Sequence, residues 1–218
     1  MPPIFPTEPV LRVFETFVSL QGEGPACGRP AFFVRLAGCN LACRWCDTSP
    51  ARSPEAGRPL TLSAILKEFE ATGLKEVLLT GGEPLLQEAS LELMRALLRR
   101  GARIYLETNG SLSLRSVPRE VVKIMDFKTP SSGMNACMLY ENLRYLTPRD
   151  AVKFVIADEE DYRFAREKTL ELGLFFFTEV YFSPVWGEMS PERLARLILE
   201  DRLPVRLQVQ LHKFLGLP

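Results

Sequence analysis

The spacing of apolar and polar positions changes along this chain, and each change marks an element. Residues 10–18 mix apolar and polar positions as a strand with one solvated side would. The glycine-rich stretch 19–25 interrupts that pattern and is expected to be a loop. Residues 31–36 are an apolar, aromatic-rich run of strand length, and the Arg/Pro/Gly stretch from Pro50 to Pro59 is expected to be the least structured piece. Leu62, Ile65, Leu66 and Phe69 then recur at helical spacing, followed by a buried strand at Val77-Leu78-Leu79. Leu91, Leu93, Met94, Leu97 and Leu98 mark a second helix, stopped by Gly101. Strands are expected at 104–106, 121–125 and 152–156, with a short helix near 138–146. Residues 158–172 form a charged amphipathic helix ending at Gly173, and Leu174-Phe175-Phe176-Phe177 continues as a strand. Ser190-Pro191 is an N-cap followed by a first-turn proline, Leu194 to Leu199 carries that helix, and residues 205–209 close the set as a strand.

Strand–helix alternation of this kind predicts an α/β fold with a parallel sheet and right-handed crossovers. The repeats suit an open, partial TIM-like barrel of about six parallel strands with helices outside, whose functional loops lie at the carboxyl ends of the strands. Residues 1–218 are expected to form one domain, with an N-terminal strand and loop extension and a C-terminal segment at the pocket. The rule about strand ends can be applied directly. The run ending at Leu36 empties into Cys39-Asn40-Leu41-Ala42-Cys43-Arg44-Trp45-Cys46-Asp47-Thr48, and the one ending at Leu79 into Thr80-Gly81-Gly82-Glu83-Pro84. Leu106 leads to Glu107-Thr108-Asn109-Gly110, Met125 to Asp126-Phe127-Lys128-Thr129-Pro130, and the last run to Gln210 and His212. Ordinary turns explain the glycines and prolines singly, but not the recurrence of carboxylates, amide and lysine at the same end.

Composition narrows the setting. At 218 residues and 46% hydrophobic content the chain can build one substantial core. Lys+Arg and Asp+Glu both number 27, so no global field draws the protein to nucleic acid or membrane. The start, Met1-Pro2-Pro3-Ile4-Phe5-Pro6, lacks the regions of a signal peptide, and no apolar stretch approaches membrane-spanning length. An odd cysteine count with a clustered triplet points to a reducing, cytoplasmic compartment.

Cys39, Cys43 and Cys46 stand at i, i+4 and i+7, and cannot pair as disulfides without leaving one over. They suit a soft metal centre. Structural zinc takes four ligands, and an electron-transfer cluster usually has four cysteines. A 4Fe–4S cluster on three thiolates leaves one iron open to a substrate or cofactor. The competing readings are a zinc site completed by His212, the only histidine, and unrelated buried cysteines. Gly81-Gly82 lets backbone approach a ligand closely, and Glu83 is suited to an ammonium group. Glu107 and Asn109 suit a ribose or amine, and Lys128 a carboxylate; surface pairing is the alternative for these. Cys27 and Cys137 match no ligand position and are read as ordinary thiols.

Cys-x3-Cys-x2-Cys resembles the signature of the radical S-adenosylmethionine (SAM) superfamily, in which the SAM amino and carboxylate groups chelate the open iron. Three further stretches narrow the resemblance: Leu20-Gln21-Gly22-Glu23-Gly24 with Gly28-Arg29-Pro30, Cys46-Asp47-Thr48, and Leu207-Gln208-Val209-Gln210-Leu211-His212-Lys213-Phe214 with the final Pro218. From about residue 13 onward the chain is similar to the 7-carboxy-7-deazaguanine synthase family. That resemblance implies conversion of 6-carboxy-5,6,7,8-tetrahydropterin to 7-carboxy-7-deazaguanine, with ring contraction, loss of ammonia and regeneration of SAM. It assigns Cys39, Cys43 and Cys46 to the 4Fe–4S cluster and Thr48 to a magnesium ion. SAM contacts fall on Trp45, Cys46, Asp47, Gly82, Glu83, Glu107, Asn109, Asp126, Phe127 and Lys128. Substrate contacts fall on Leu20, Gln21, Gly22, Arg35, Thr80, His212 and the terminal carboxylate of Pro218. No side chain is assigned as catalytic. The resemblance further implies an electron donor such as flavodoxin and a homodimer, with no direct nucleic-acid or membrane partner. Two departures stand out: the cysteine loop lacks the insertion some members carry, and the segment from Asp126 to Pro130 varies in the family. The other readings are a glycyl-radical-enzyme activating protein and a non-catalytic zinc-binding module.

Overall fold

The computed structural model describes residues 8–218; the start of the chain, expected not to be a signal peptide, lies outside them. Within the described residues nine strands form one sheet: β1 (Val10–Leu20), β2 (Pro30–Leu36), β3 (Arg58–Thr61), β4 (Glu76–Gly81), β5 (Arg103–Thr108), β6 (Val122–Asp126), β7 (Ala151–Ile156), β8 (Glu179–Pro184) and β9 (Arg206–Leu207). Helices α1 (Leu62–Thr72), α2 (Ala89–Arg99), α3 (Glu159–Glu171) and α4 (Pro191–Asp201) lie between strands, and α5 (Leu211–Leu215) follows the last one. The order is β3-β1-β2-β4-β5-β6-β7-β8-β9. β1 runs antiparallel to β2 and β3, and every other neighbouring pair is parallel. Because the parallel strands follow chain order, the sheet curls one way into the open, partial barrel that alternation predicts.

The helices form where apolar spacing and caps agree. Thr61 Oγ1 accepts from Ala64 N at 3.2 Å to start α1, and Gly73 closes it in the left-handed conformation at φ 67°. Asp158 caps α3, accepting from Asp161 N at 2.9 Å, and Ser190 with Pro191 opens α4. Alternation along the strands sorts side chains into two cores. Val34, Leu79, Ile104 and Leu106 face outward against Ile65, Phe69, Leu93 and Leu97 of the helices. Phe33, Leu78, Tyr105, Ile124, Ala151 and Tyr181 face inward and fill the base of the barrel. Two residues further along each strand, the same inward face carries Arg35, Thr80, Glu107, Asp126, Lys153 and Ser183. A polar layer therefore rests on an apolar plug.

Several expectations are corrected. The first strand continues through Ser19 and Leu20, so its loop begins at Gln21. The stretch from Pro50 to Pro59 contains two 3₁₀ turns, Ser49–Arg52 and Pro54–Ala56, and the start of β3, which gains its partner only from β1. The segment near 138–146 is a 3₁₀ turn, Tyr140–Tyr145. Leu174-Phe175-Phe176-Phe177 is no strand: Gly173 turns left-handed at φ 57°, and Leu174–Phe176 is a 3₁₀ turn with Leu174 buried and Phe176 82% exposed. The strand is β8, which pairs with β7 once the chain has returned to the base of the sheet. Residues 205–209 shrink to the two-residue β9, after which Gln208 N donates to Phe182 O at 2.9 Å. No helix among the described residues is long and apolar enough to cross a membrane.

Asp150, at the start of β7, accepts from Lys123 N and Thr147 N at 2.7 Å and faces Lys123 Nζ at 3.2 Å, with 1% of its side chain exposed. Asp150→Ala leaves Lys123 charged and buried, and is expected to lower unfolding free energy by about 3–5 kcal/mol in chemical denaturation.

Candidate active site

The inward polar layer is the wall of a cavity of about 800 Å³ at the carboxyl ends of the strands. Arg35, Thr80, Glu107, Asp126 and Lys153 line it from five successive parallel strands. Loops after those strands, the Leu20–Glu23 turn and the C-terminal segment complete it.

The cysteine loop leaves β2 at Leu36 and is pinned from both sides. Gly38 N donates to Ala51 O at 2.8 Å and Cys39 N to Arg52 O at 3.0 Å. Arg44 forks onto Glu188 at 3.0 and 2.6 Å, and Trp45 Nε1 donates to Ser131 Oγ at 3.0 Å. Cys39, Cys43 and Cys46 are free thiols that all border the cavity. Leu41 N and Asn109 Nδ2 point at Cys39 Sγ from 3.5 and 3.8 Å, donors of the kind that tune cluster thiolates. Burial pushes the Cys43 thiol up, against the pull of Lys128. Among the described residues no three His, Cys, Asp or Glu side chains gather closely enough for a single metal ion. His212, the fourth ligand of the zinc alternative, packs its ring against Gly22 instead. An iron–sulfur cluster is a larger body than one ion, and three partly exposed thiols around one cavity fit it.

The glycine pair at the end of β4 has a reason the sequence did not disclose. A Cβ on Gly81, whose φ is 148°, would fall 2.2 Å from Leu36 O, and one on Gly82 would fall 2.2 Å from Gly38 O. Gly82 N donates to Leu36 O at 2.9 Å and Glu83 N to Gly38 O at 2.8 Å, so the pair joins the end of β4 to the cysteine loop. Gly82 still borders the cavity. Glu83 does not: fully buried, it accepts from Leu85 N at 3.0 Å, Asn109 N at 2.6 Å and Thr108 Oγ1 at 2.9 Å. Burial pushes its carboxyl up despite these donors. In this position the Glu83 side chain, expected to meet an ammonium group, braces the ends of β4 and β5.

Glu107 accepts from Thr80 Oγ1 at 2.8 Å, and burial pushes its carboxyl above the ordinary range. Asn109 Nδ2 reaches Asn40 Oδ1 at 3.0 Å. Lys128 Nζ sits 3.1 Å from Asp126 Oδ2 and 5.5 Å from the centre of the Trp45 ring. Burial alone would lower the Lys128 pKa, but Asp126 and Cys43 outweigh it and raise it. Asp126 Oδ1 is buried without a partner among the described residues, an unused acceptor in the cavity wall. Phe127 turns away from the cavity into the core, 5.0 Å between ring centres from Phe154.

On the opposite wall Arg35 donates from Nε to Glu15 at 2.8 Å and from Nη1 to Thr48 Oγ1 at 3.3 Å. Thr48 Oγ1 in turn donates to Asp47 at 3.0 Å, and Gln210 Nε2 approaches the other Asp47 oxygen at 3.3 Å. Burial works to raise the Asp47 carboxyl, but Lys153, Lys213 and these hydrogen bonds hold it below its ordinary value. Leu20, Gly22, His212 and Pro218 border the cavity. Gln21 does not: its side chain is fully buried, and neither polar atom has a partner among the described residues. Burial lowers the His212 pKa. Sequence reasoning missed Glu15, Lys153 and α5, and left Glu23 without a task. For Lys153 the signal was available, a lysine on the inward phase of an apolar strand.

Residues 34–127 match the model of the Radical SAM superfamily. In a 225-residue alignment the chain is 42% identical to the 7-carboxy-7-deazaguanine synthase of Koribacter versatilis, covering 95% of this chain and 98% of that protein. It is 41% identical to the 7-carboxy-7-deazaguanine synthase of Chlorobaculum tepidum, with 97% of each covered. The crystal structure of QueE from Escherichia coli matches with a TM-score of 0.73 at 22% identity, over 93% of this chain and 95% of that one, a likeness of fold.

Gly82→Ala drives a Cβ into the Gly38 carbonyl beside Cys39. It is expected to destabilise the protein by about 1–3 kcal/mol and to lower the iron bound per chain, measured by thermal melting and iron assay after anaerobic reconstitution.

Proposed function

The chain belongs to the 7-carboxy-7-deazaguanine synthase family of radical SAM enzymes, and we propose that its cavity binds 6-carboxy-5,6,7,8-tetrahydropterin beside SAM and yields 7-carboxy-7-deazaguanine with loss of ammonia. The observation that carries this reading is the meeting of the three cysteines, Arg35, Thr48 and Pro218 on one cavity. Family membership leaves the glycyl-radical activator and the zinc module without support.

Cys39, Cys43 and Cys46 would hold the 4Fe–4S cluster, and the Thr48 hydroxyl would meet magnesium, a hard cation that takes oxygen ligands. When bound, the cluster and SAM supply the one-electron chemistry that opens an unreactive C–H bond. The chain binds and orients. Gly82, Asn109, Asp126 and Lys128 offer SAM a backbone edge, an amide, an unpartnered carboxylate oxygen and a cation, while Trp45, Cys46 and Asp47 border it from the cysteine loop. Glu83 and Phe127 support this wall from behind. Glu15 occupies Nε of Arg35, which turns the outer nitrogens of the guanidinium toward the substrate carboxylate. Thr80 and Glu107 present one hydrogen-bonding unit to the pterin. The Leu20–Gly22 backbone and the Pro218 carboxylate meet its guanidine-like edge. His212, its pKa lowered, packs as a neutral ring at neutral pH. The enzyme would work in the cytoplasm as a homodimer and take electrons from a donor such as flavodoxin.

The reading is tested by anaerobic turnover of reduced, iron-reconstituted protein with SAM, magnesium and the tetrahydropterin, followed by mass spectrometry. The expected result is 7-carboxy-7-deazaguanine without matching loss of SAM; 5′-deoxyadenosine with intact pterin would overturn the substrate assignment. Thr48→Val is expected to abolish magnesium stimulation at unchanged iron content, and a magnesium titration checks it. Deleting Pro218 moves the terminal carboxylate back by one residue, to Leu217, and so withdraws from the pterin edge a charged acceptor worth about 1.5–3 kcal/mol; KM for the pterin should rise roughly tenfold or more in steady-state kinetics.

A further inference from the structure

The cavity wall contains an ion pair to which none of these roles falls. Glu23 Oε2 lies 3.0 Å from Lys153 Nζ, and each side chain is 10% exposed. The other Glu23 oxygen is 3.5 Å from Ser183 Oγ on β8. Lys153 also faces Asp126 Oδ2 at 3.8 Å. Burial alone would lower the pKa of this ammonium, but Glu23, Asp126 and Glu107 reverse the effect, and it stays charged.

Glu23 belongs to the turn whose Leu20 and Gly22 border the cavity. That turn is held from a second side by the C-terminal segment: Leu211 N donates to Gly22 O at 3.1 Å, and the His212 ring occupies the space a Gly22 side chain would need. One anchor is therefore a short helix near the end of the chain. The other reaches through a single carboxylate into two strands of the sheet. An apolar side chain at position 23 could also hold the turn down, but it could not fix the turn's distance from β7 and β8 through hydrogen-bond geometry.

We infer that Glu23 and Lys153 form a positioning couple, which sets the depth of the Leu20–Gly24 turn in the barrel mouth and, through Asp126, ties that turn to the SAM side of the cavity. Neither side chain is assigned contact with reacting atoms. The inference rests on the pterin reading, since the turn is the element that meets the pterin edge.

The test is equilibrium binding of 6-carboxy-5,6,7,8-tetrahydropterin to the iron-loaded full chain without reductant, by anaerobic calorimetry, for Glu23→Gln, Lys153→Met, Lys153→Arg and the double variant Glu23→Gln/Lys153→Met. Lys153→Met leaves Glu23 buried without its cation and Glu23→Gln leaves Lys153 with only the more distant Asp126 as ion-pair partner, whereas the double variant removes the pair together and is expected to fold with near wild-type stability. A positioning couple predicts that both single variants weaken binding on the order of tenfold. The double variant should be no weaker than either single, because both lose one shared interaction. Lys153→Arg should restore part of the affinity, and in turnover KM should rise more than kcat falls. Wild-type affinity in the double variant would overturn the inference while leaving the pterin reading intact. Absence of binding by the wild-type protein would overturn the pterin reading and this inference together.

Discussion

Two backbone hydrogen bonds, from Gly82 N to Leu36 O and from Glu83 N to Gly38 O, join the end of β4 to the mouth of the cysteine loop. They require two residues without side chains, because a Cβ on either glycine would strike the carbonyl of Leu36 or of Gly38. The rest of the site follows from this joint. It places Cys39 beside Asn109 and directs the Glu83 carboxylate backward, where Asn109 N and Thr108 Oγ1 bind it. In this way β2, β4 and β5 end at a common level, and the loops they release face one cavity. A glycine pair that looks made for a ligand is first of all an accommodation between two strands.

Above the apolar plug the barrel interior is charged on purpose and closely balanced. Arg35, Lys128 and Lys153 face Glu15, Glu23, Glu107 and Asp126, mostly within hydrogen-bond reach. Such groups persist in a half-dry interior only when paired, since an unpaired charge there is costly to desolvate. The pairing is incomplete at defined points. Among the described residues Asp126 Oδ1 has no partner, and the outer nitrogens of Arg35 meet only the Thr48 hydroxyl. Those are the points at which a ligand with a donor and a carboxylate would complete the set. The apolar layer of Phe33, Leu78, Tyr105 and Ile124 keeps the base of the cavity closed beneath it.

Much of this was readable in one dimension because strand geometry is local. Alternation places Arg35 above Phe33 and Thr80 above Leu78, so the strand-end rule locates most of the cavity lining from the sequence. The side chains of Gln21 and Glu83 lie off the cavity lining because each follows or precedes a glycine turn whose direction depends on what packs against it. The Phe127 ring lies off it for a related reason: it is next to Asp126 on the opposite phase of the chain, and packs with Phe154. Leu174-Phe175-Phe176-Phe177 read as a strand because apolar runs of that length carry no periodicity that separates a strand from a turn with one buried anchor.

The sequence by itself determined the parallel α/β architecture, the thiol triplet and the chemistry of its neighbours, because hydrophobic period and residue spacing act over a few residues. Only the tertiary structure decided which carboxylate faces the cavity and which braces its wall. It alone paired Glu23 with Lys153 across 130 residues of chain and brought Pro218 to a cavity whose first wall begins at Phe14. Those relations depend on how the sheet curls and how closely strand ends approach, and neither quantity is encoded in any local stretch.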